Sequence, residues 1–109
     1  MLPNVNSAVV EPAKVRDYLL STSHPIGRFK AVVFRALGYS EEAWPRLRDD
    51  LLAVARLGEV VPGQLSDYGQ KFSVNGILVG PNGRTASVTT VWLVPPGTSV
   101  PRFITAFPR

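Results

Sequence analysis

The chain has 109 residues, no cysteine, one histidine, and a net charge of +4 from twelve lysines and arginines against eight aspartates and glutamates. That length suffices for one domain with its own core, while the missing cysteines exclude disulfides and thiolate chemistry and the lone histidine leaves no ligand set for a transition metal. The basic excess is compatible with a polyanionic partner, Met1-Leu2-Pro3-Asn4 is no secretory signal and no apolar run approaches the ~20 residues of a membrane span, so a cytoplasmic protein without a membrane partner is expected.

In chain order, Pro3 to Val10 is a polar lead-in ending in Ala8-Val9-Val10, a candidate short edge strand. Glu11-Pro12 opens a helix, since proline is comfortable in a first turn where its missing N–H is not needed. Val15, Tyr18 and Leu19 share one face of it, and Ser21-Thr22-Ser23 ends it. A second helix starts near Ser23 as N-cap and stops at Gly38, a residue type that readily takes the left-handed conformation closing helices. At ~100° per residue, Ile26, Phe29, Val33, Phe34 and Leu37 fall in one stripe of that helix, with Lys30 down its centre. Ser40 caps a third helix, Tyr39 and Trp44 form a hydrophobic staple across the cap, and Pro45 sets the regular start. Leu47, Leu51, Val54 and Ala55 are its apolar stripe, and Gly58 ends it.

Val60-Val61-Pro62-Gly63 reads as a turn. After Asp67 the periodicity changes from helical to alternating. Lys71 to Val79 is a strand with Gly76 as a bulge, Gly80-Pro81-Asn82-Gly83 a hairpin turn, and Arg84 to Val94 a long strand. Pro95-Pro96-Gly97 turns the chain into a last strand from Pro101 to Phe107. The expected architecture is α+β, with two to three N-terminal helices packed on a three- to four-stranded antiparallel sheet, as a single domain over residues 1–109. In the long strand Ala86, Val88, Thr90, Trp92 and Val94 form one face, and Thr85, Ser87, Thr89, Val91 and Leu93 the other. In the last strand Arg102, Ile104 and Ala106 oppose Phe103, Thr105 and Phe107.

Lys30 is the residue that most needs a reason. Desolvating an ammonium is costly, so it either snorkels to water along its four-carbon stem or reaches something anionic on that face. A cation (Lys30), an imidazole (His24), a strand arginine (Arg102) and hydroxyls from Thr89, Thr90 and Thr105 are together the inventory of metal-free RNA cleavage. One group takes the 2′-hydroxyl proton, one protonates the leaving 5′-oxygen, and cations stabilise the phosphorane. Each residue has a plainer reading too: histidine before proline as a cap, threonine as a strand former, Trp92 as core rather than a base-stacking platform. Arg28 and Arg35 share a solvent face and are at most phosphate contacts, and Glu41-Glu42 and Asp49-Asp50 read as solvated charge. No glycine-rich phosphate loop with its lysine, no G-x-S-x-G elbow and no H-E-x-x-H occurs, so no cofactor or metal is implied.

The segment His24-Pro25-x-Gly27-x-x-Lys30-Ala31-x-x-Phe34, continued by Leu37-Gly38-Tyr39, Tyr68-Gly69-Gln70-Lys71-Phe72, Thr90-Val91-Trp92-Leu93-Val94 and Pro101-Arg102-Phe103-Ile104-Thr105-Ala106, resembles a small bacterial domain family. That family resembles the C-terminal tips of polymorphic and contact-dependent-inhibition toxins, RNases of the barnase–EndoU–colicin–RelE type of fold. The resemblance implies N-terminal helices on an antiparallel sheet, a metal-independent ribonuclease acting on tRNA or other RNA, and an acidic immunity or antitoxin partner. Toxin relatives carry a second glycine where this chain has Arg28. Carried over by position, the matching polar residues are His24, Lys30, Arg102 and Thr105, with Thr89 or Thr90 nearby on the neighbouring strand. The catalytic candidates are therefore His24, Lys30, Thr89, Arg102 and Thr105, and Arg28, Arg84 and Trp92 are added as candidate substrate contacts. The alternative is a non-catalytic module of a toxin–antitoxin-like pair that holds a protein partner or RNA in the same groove.

Overall fold

The computed structural model describes residues 2–25 and 27–109; Ile26, assigned above to the second-helix stripe, lies outside the described residues. A 3₁₀ turn at Val5–Ser7 leads to α1 (Pro12–Lys14), which runs straight into a π-helical turn over Val15–Leu19. The Leu20 N–H donates to the Val15 carbonyl at 3.0 Å and closes that wider turn. One extra residue per turn lets Val15, Leu19 and Leu20 all enter the core, with Tyr18 half-buried beside them.

The second helix, α2 (Gly27–Ala36), starts later than Ser23. Its first bond runs from the Arg28 N–H to the His24 carbonyl at 3.1 Å. The hydroxyl that accepts backbone N–H groups ahead of it belongs to Ser21, which takes those of Ser23 and His24 at 3.3 and 3.2 Å. The far end closes as expected: Gly38 has φ 100°, its N–H donates to Arg35, and the Tyr39 N–H reaches back to Phe34, the paired bonds of a glycine-terminated helix. The buried face, however, is turned from the predicted stripe. Ala31, Phe34 and Leu37 are buried and Lys30 and Val33 half-buried, whereas Phe29 is 68% exposed. The reason is that α2 rests on the π-helical turn and on the last strand rather than across the sheet.

The third helix, α3 (Trp44–Leu57), buries Leu47, Leu51, Val54 and Ala55. Four strands follow, β1 (Glu59–Ser66), β2 (Gly69–Val79), β3 (Thr85–Val94) and β4 (Arg102–Pro108), in one antiparallel sheet of order β1-β2-β3-β4. The α+β class and the helices-then-sheet order therefore hold. Val60 to Gly63 is not a turn but part of β1, with a bulge between Pro62 and Leu65; on an edge strand a proline need not interrupt the ladder. Gly76 is not a bulge either: it sits in register opposite Val88. A Cβ there would stand 3.0 Å from Val54 Cγ1, so glycine lets α3 lie close to β2.

The irregularity lies instead in β4, where Trp92 pairs with Phe103 and Val91 with Thr105, leaving Ile104 extra. The strict alternation expected for this strand is broken, and Phe103 and Ala106 both face the core. Val9 makes a single parallel bridge to Arg102, all that forms of the candidate N-terminal strand. Beneath the helices, Val74, Leu78, Val88 and Trp92 form the sheet side of the core. The buried Trp92 Nε1 donates to Thr90 Oγ1 at 2.9 Å, and that hydroxyl donates to the Val74 carbonyl at 3.1 Å, so both polar groups are satisfied. Ser73, Asn75, Ile77, Thr89, Val91, Thr105 and Phe107 occupy the opposite face by register. Among the described residues no helix is long and apolar enough to cross a membrane.

Tyr39 links the loop after α2 to α3: its hydroxyl donates to Asp50 Oδ2 at 2.6 Å. Burial first, and the Asp50 carboxylate second, push the phenol's pKa up. Tyr39→Phe should lower the unfolding free energy by about 1–2 kcal/mol, read by urea denaturation at neutral pH. The unfolded chain ionises this phenol near pH 10 and the folded chain resists, so the wild type should lose stability as pH climbs above about 10. The gap between wild type and Tyr39→Phe should narrow between pH 9 and pH 11.

Candidate functional site

Lys30 projects from α2 towards the edge of the sheet, and its Nζ donates to Thr105 Oγ1 at 2.8 Å. The same nitrogen lies 5.0 Å from the centre of the Tyr18 ring and 5.9 Å from that of Phe107. An ammonium has three donors; Thr105 takes one, and the aromatic faces offer part of a counter-charge. Lys30 opens onto a pocket of about 570 Å³, lined also by Lys14, Asp17, Tyr18, His24 and Thr105.

The carboxylate in this pocket does not pair with Lys30. Asp17 accepts two hydrogen bonds from the Arg16 guanidinium, both at 2.9 Å, and those bonds hold its carboxyl below the usual carboxylate range. Among the described residues no carboxylate forms an ion pair with Lys30. The pocket therefore combines two lysines with a carboxylate that already has a cationic partner, an arrangement suited to an anion.

His24 reaches the pocket from the turn before α2. Its backbone is held at both ends, by Ser21 Oγ on the N–H and by Arg28 on the carbonyl. Its ring meets Tyr18 edge to face, with centroids 4.8 Å apart and planes at 84°. Tyr18 thus touches both His24 and Lys30. The sequence showed it only as one apolar position of the first helix, and the site contacts depend on a fold that no local pattern encodes.

The remaining candidates are dispersed. Thr89 lies on the same sheet face as Thr105 but is only 8% exposed, its hydroxyl donating to Asn75 Oδ1 at 2.7 Å. Arg102 binds Glu11 at 2.6 Å and lines a separate depression with Val9, Pro95, Thr98 and Val100. Arg28 is exposed and stacks on Phe29, and Arg84 is exposed beside the β2–β3 hairpin. Trp92 is wholly buried, so it is a core residue and no substrate reaches it. Arg35, expected on a solvent face, is instead a half-buried strap that donates to the Leu20 carbonyl and to Glu41. A smaller pocket, about 230 Å³, runs between α3 and β2; its one ionisable group, Asp50, is already held by Tyr39 and Arg46.

Residues 1–109 match one family profile from end to end, described as a domain of unknown function, DUF6883. No curated protein matches the chain. Among solved structures it is similar to one chain of a contact-dependent growth inhibition toxin–immunity protein complex from Klebsiella pneumoniae 342. The two share 24% identity over 94% of this chain and 100% of that one, with a TM-score of 0.73, a likeness that shows the fold.

An ammonium that is half-buried without a carboxylate contributes little to folding, so replacing it with an apolar chain of similar length tests what it is for. Lys30→Met should leave the unfolding free energy unchanged or raise it by up to about 1 kcal/mol. A loss above about 1 kcal/mol by denaturant melting would make Lys30 a structural residue.

Proposed function

The chain belongs to the DUF6883 family, and we propose that it is a metal-independent ribonuclease of toxin type, cleaving tRNA or another RNA by attack of a 2′-hydroxyl on the adjacent phosphate. The observation that carries this reading is the Lys30 ammonium, without a carboxylate and fixed by Thr105 in the pocket that His24 also lines. The 2′-oxygen forms a bond to phosphorus, the bond to the 5′-oxygen breaks, and the products end in a 2′,3′-cyclic phosphate and a 5′-hydroxyl. Lys30 stabilises the charge that builds on the non-bridging oxygens. His24 carries one of the two proton transfers, either from the 2′-hydroxyl or to the leaving 5′-oxygen, and the other exchanges with water.

Thr105 holds the ammonium in place and orients a substrate hydroxyl. Arg102 would have to leave Glu11 to grip a phosphate, so Lys14, already on the pocket wall, is the better second cation. Thr89, Arg28 and Arg84 do not line the Lys30 pocket, and their place is with flanking nucleotides. The basic balance of the chain suits an acidic inhibitor, and the similar fold belongs to one chain of a toxin–immunity pair.

A second reading has its own support. Phe29 and Val32 stand 68% and 70% exposed on the outer side of α2, an apolar strip that would serve a non-catalytic module bound to a partner protein.

Purified protein incubated with total tRNA in excess chelator should give discrete fragments ending in cyclic phosphate. Lys30→Ala and His24→Ala, each matched for folding, should lower the rate at least about 100-fold. Intact RNA, with wild type and variants alike, would reject the nuclease and favour the partner-binding module.

A further inference from the structure

The face of the sheet turned away from α3 carries a row of side chains that begins at Lys30 and runs inward. Phe107 is 40% exposed, its ring 5.9 Å from Lys30 Nζ. It pairs across the ladder with Thr89, and Thr89 pairs with Asn75 on the next strand. Thr89 Oγ1 donates to Asn75 Oδ1 at 2.7 Å, which pins the carboxamide and leaves its Nδ2 hydrogens as the donors on offer. From β4 to β2 the row spans two strand spacings, about 10 Å. It presents, in order, a cation, an aromatic face, a hydroxyl floor and an amide donor.

We propose that this row is a nucleobase subsite, in which one unpaired base of a single-stranded RNA stacks on Phe107 and accepts a hydrogen bond from Asn75 while its phosphate lies at Lys30. The inference rests on the ribonuclease reading of the Lys30 pocket and adds to it where the flanking base goes. Unstacked bases on an open sheet are bound by aromatic faces together with polar side chains, and this face supplies both beside its cation. Within the strands the basic residues are Lys71 and Arg102, the latter paired with Glu11, and the acidic one, Glu59, is the cross-strand neighbour of Asn75, so the cation that the row offers the phosphate is Lys30 alone. An apolar protein surface would gain nothing from the pinned amide. A duplex is excluded as occupant, because its bases are already stacked and paired. Phe107 is a binding residue here and takes no part in bond cleavage.

The probes are two fluorescently labelled tetranucleotides that cannot be cleaved, one of 2′-O-methyl RNA and one with the same backbone but without bases, titrated by anisotropy at fixed salt. The wild type should bind the base-containing probe roughly tenfold more tightly than the abasic one. Phe107→Leu should erase most of that difference and leave the abasic affinity unchanged; Phe107→Tyr should restore it. Asn75→Ala should reduce it in part. Lys30→Ala should weaken both probes alike. If Phe107→Leu and Asn75→Ala discriminate the two probes as the wild type does, the subsite is wrong while the Lys30 pocket stands. If the wild type binds neither probe, the subsite and the ribonuclease reading fall together.

Discussion

Everything in this molecule is arranged around the close approach of α3 to β2. Val54 meets the strand at Gly76, and the helix ends at Gly58, where a Cβ would stand 2.4 Å from the Asn75 carbonyl oxygen. Two glycines on facing elements let the helix lie flat on one side of the sheet and bury Leu47, Leu51 and Val54 with Val74, Leu78, Val88 and Trp92. Interiors are packed without spare volume, so one helix in that position leaves α2 no room on the same surface. It goes to the edge, against the π-helical turn and β4. The pocket is the join between those three elements.

The charges show what that join is suited to. Five of the eight carboxylates pair with arginines, namely Glu11, Asp17, Glu41, Asp49 and Asp50. Most of these pairs are half exposed and contribute little stability each. Their effect on the pocket is larger, because Asp17, the carboxylate that lines it with Lys30, is occupied by Arg16. An ammonium whose partners among the described residues are a hydroxyl and two aromatic faces keeps most of its pull on an incoming anion.

The bulge in β4 aims the site. One extra residue at Ile104 changes which side chains face inward, so Phe103 and Ala106 are both buried while Thr105 turns towards α2. Bulges commonly redirect a side chain in this way. The same fold occurs in a chain of a toxin–immunity complex, but a shared fold does not carry a shared reaction. What can be argued about chemistry comes from Lys30, His24, Thr105 and Tyr18 themselves.

Much of the fold was legible in the residues alone, because it is encoded locally. The stripe of α3, the glycine that closes α2, the β2–β3 hairpin and the alternation of β3 each depend on neighbours a few positions apart. Errors gathered where a distant partner decides. Gly76 looked like a bulge until Val54 was opposite it, and Val60 to Gly63 looked like a turn until β2 offered a strand to pair with. The site divides in the same way. His24 at a helix start and Lys30 as a misplaced cation could be read from spacing, whereas Thr105 meets Lys30 across 75 residues of sequence. Arg102 was drawn off to Glu11, 91 residues away, and Tyr18 was drawn in by a π-helical turn. Sequence by itself determined the helical segments, the strands β2 to β4 and Lys30 as a residue out of place in its stripe, but not the edge strand β1, since propensity and periodicity act over one or two turns. Tertiary structure decided which of those residues meet, because burial and charge pairing depend on what the rest of the chain brings to the same point.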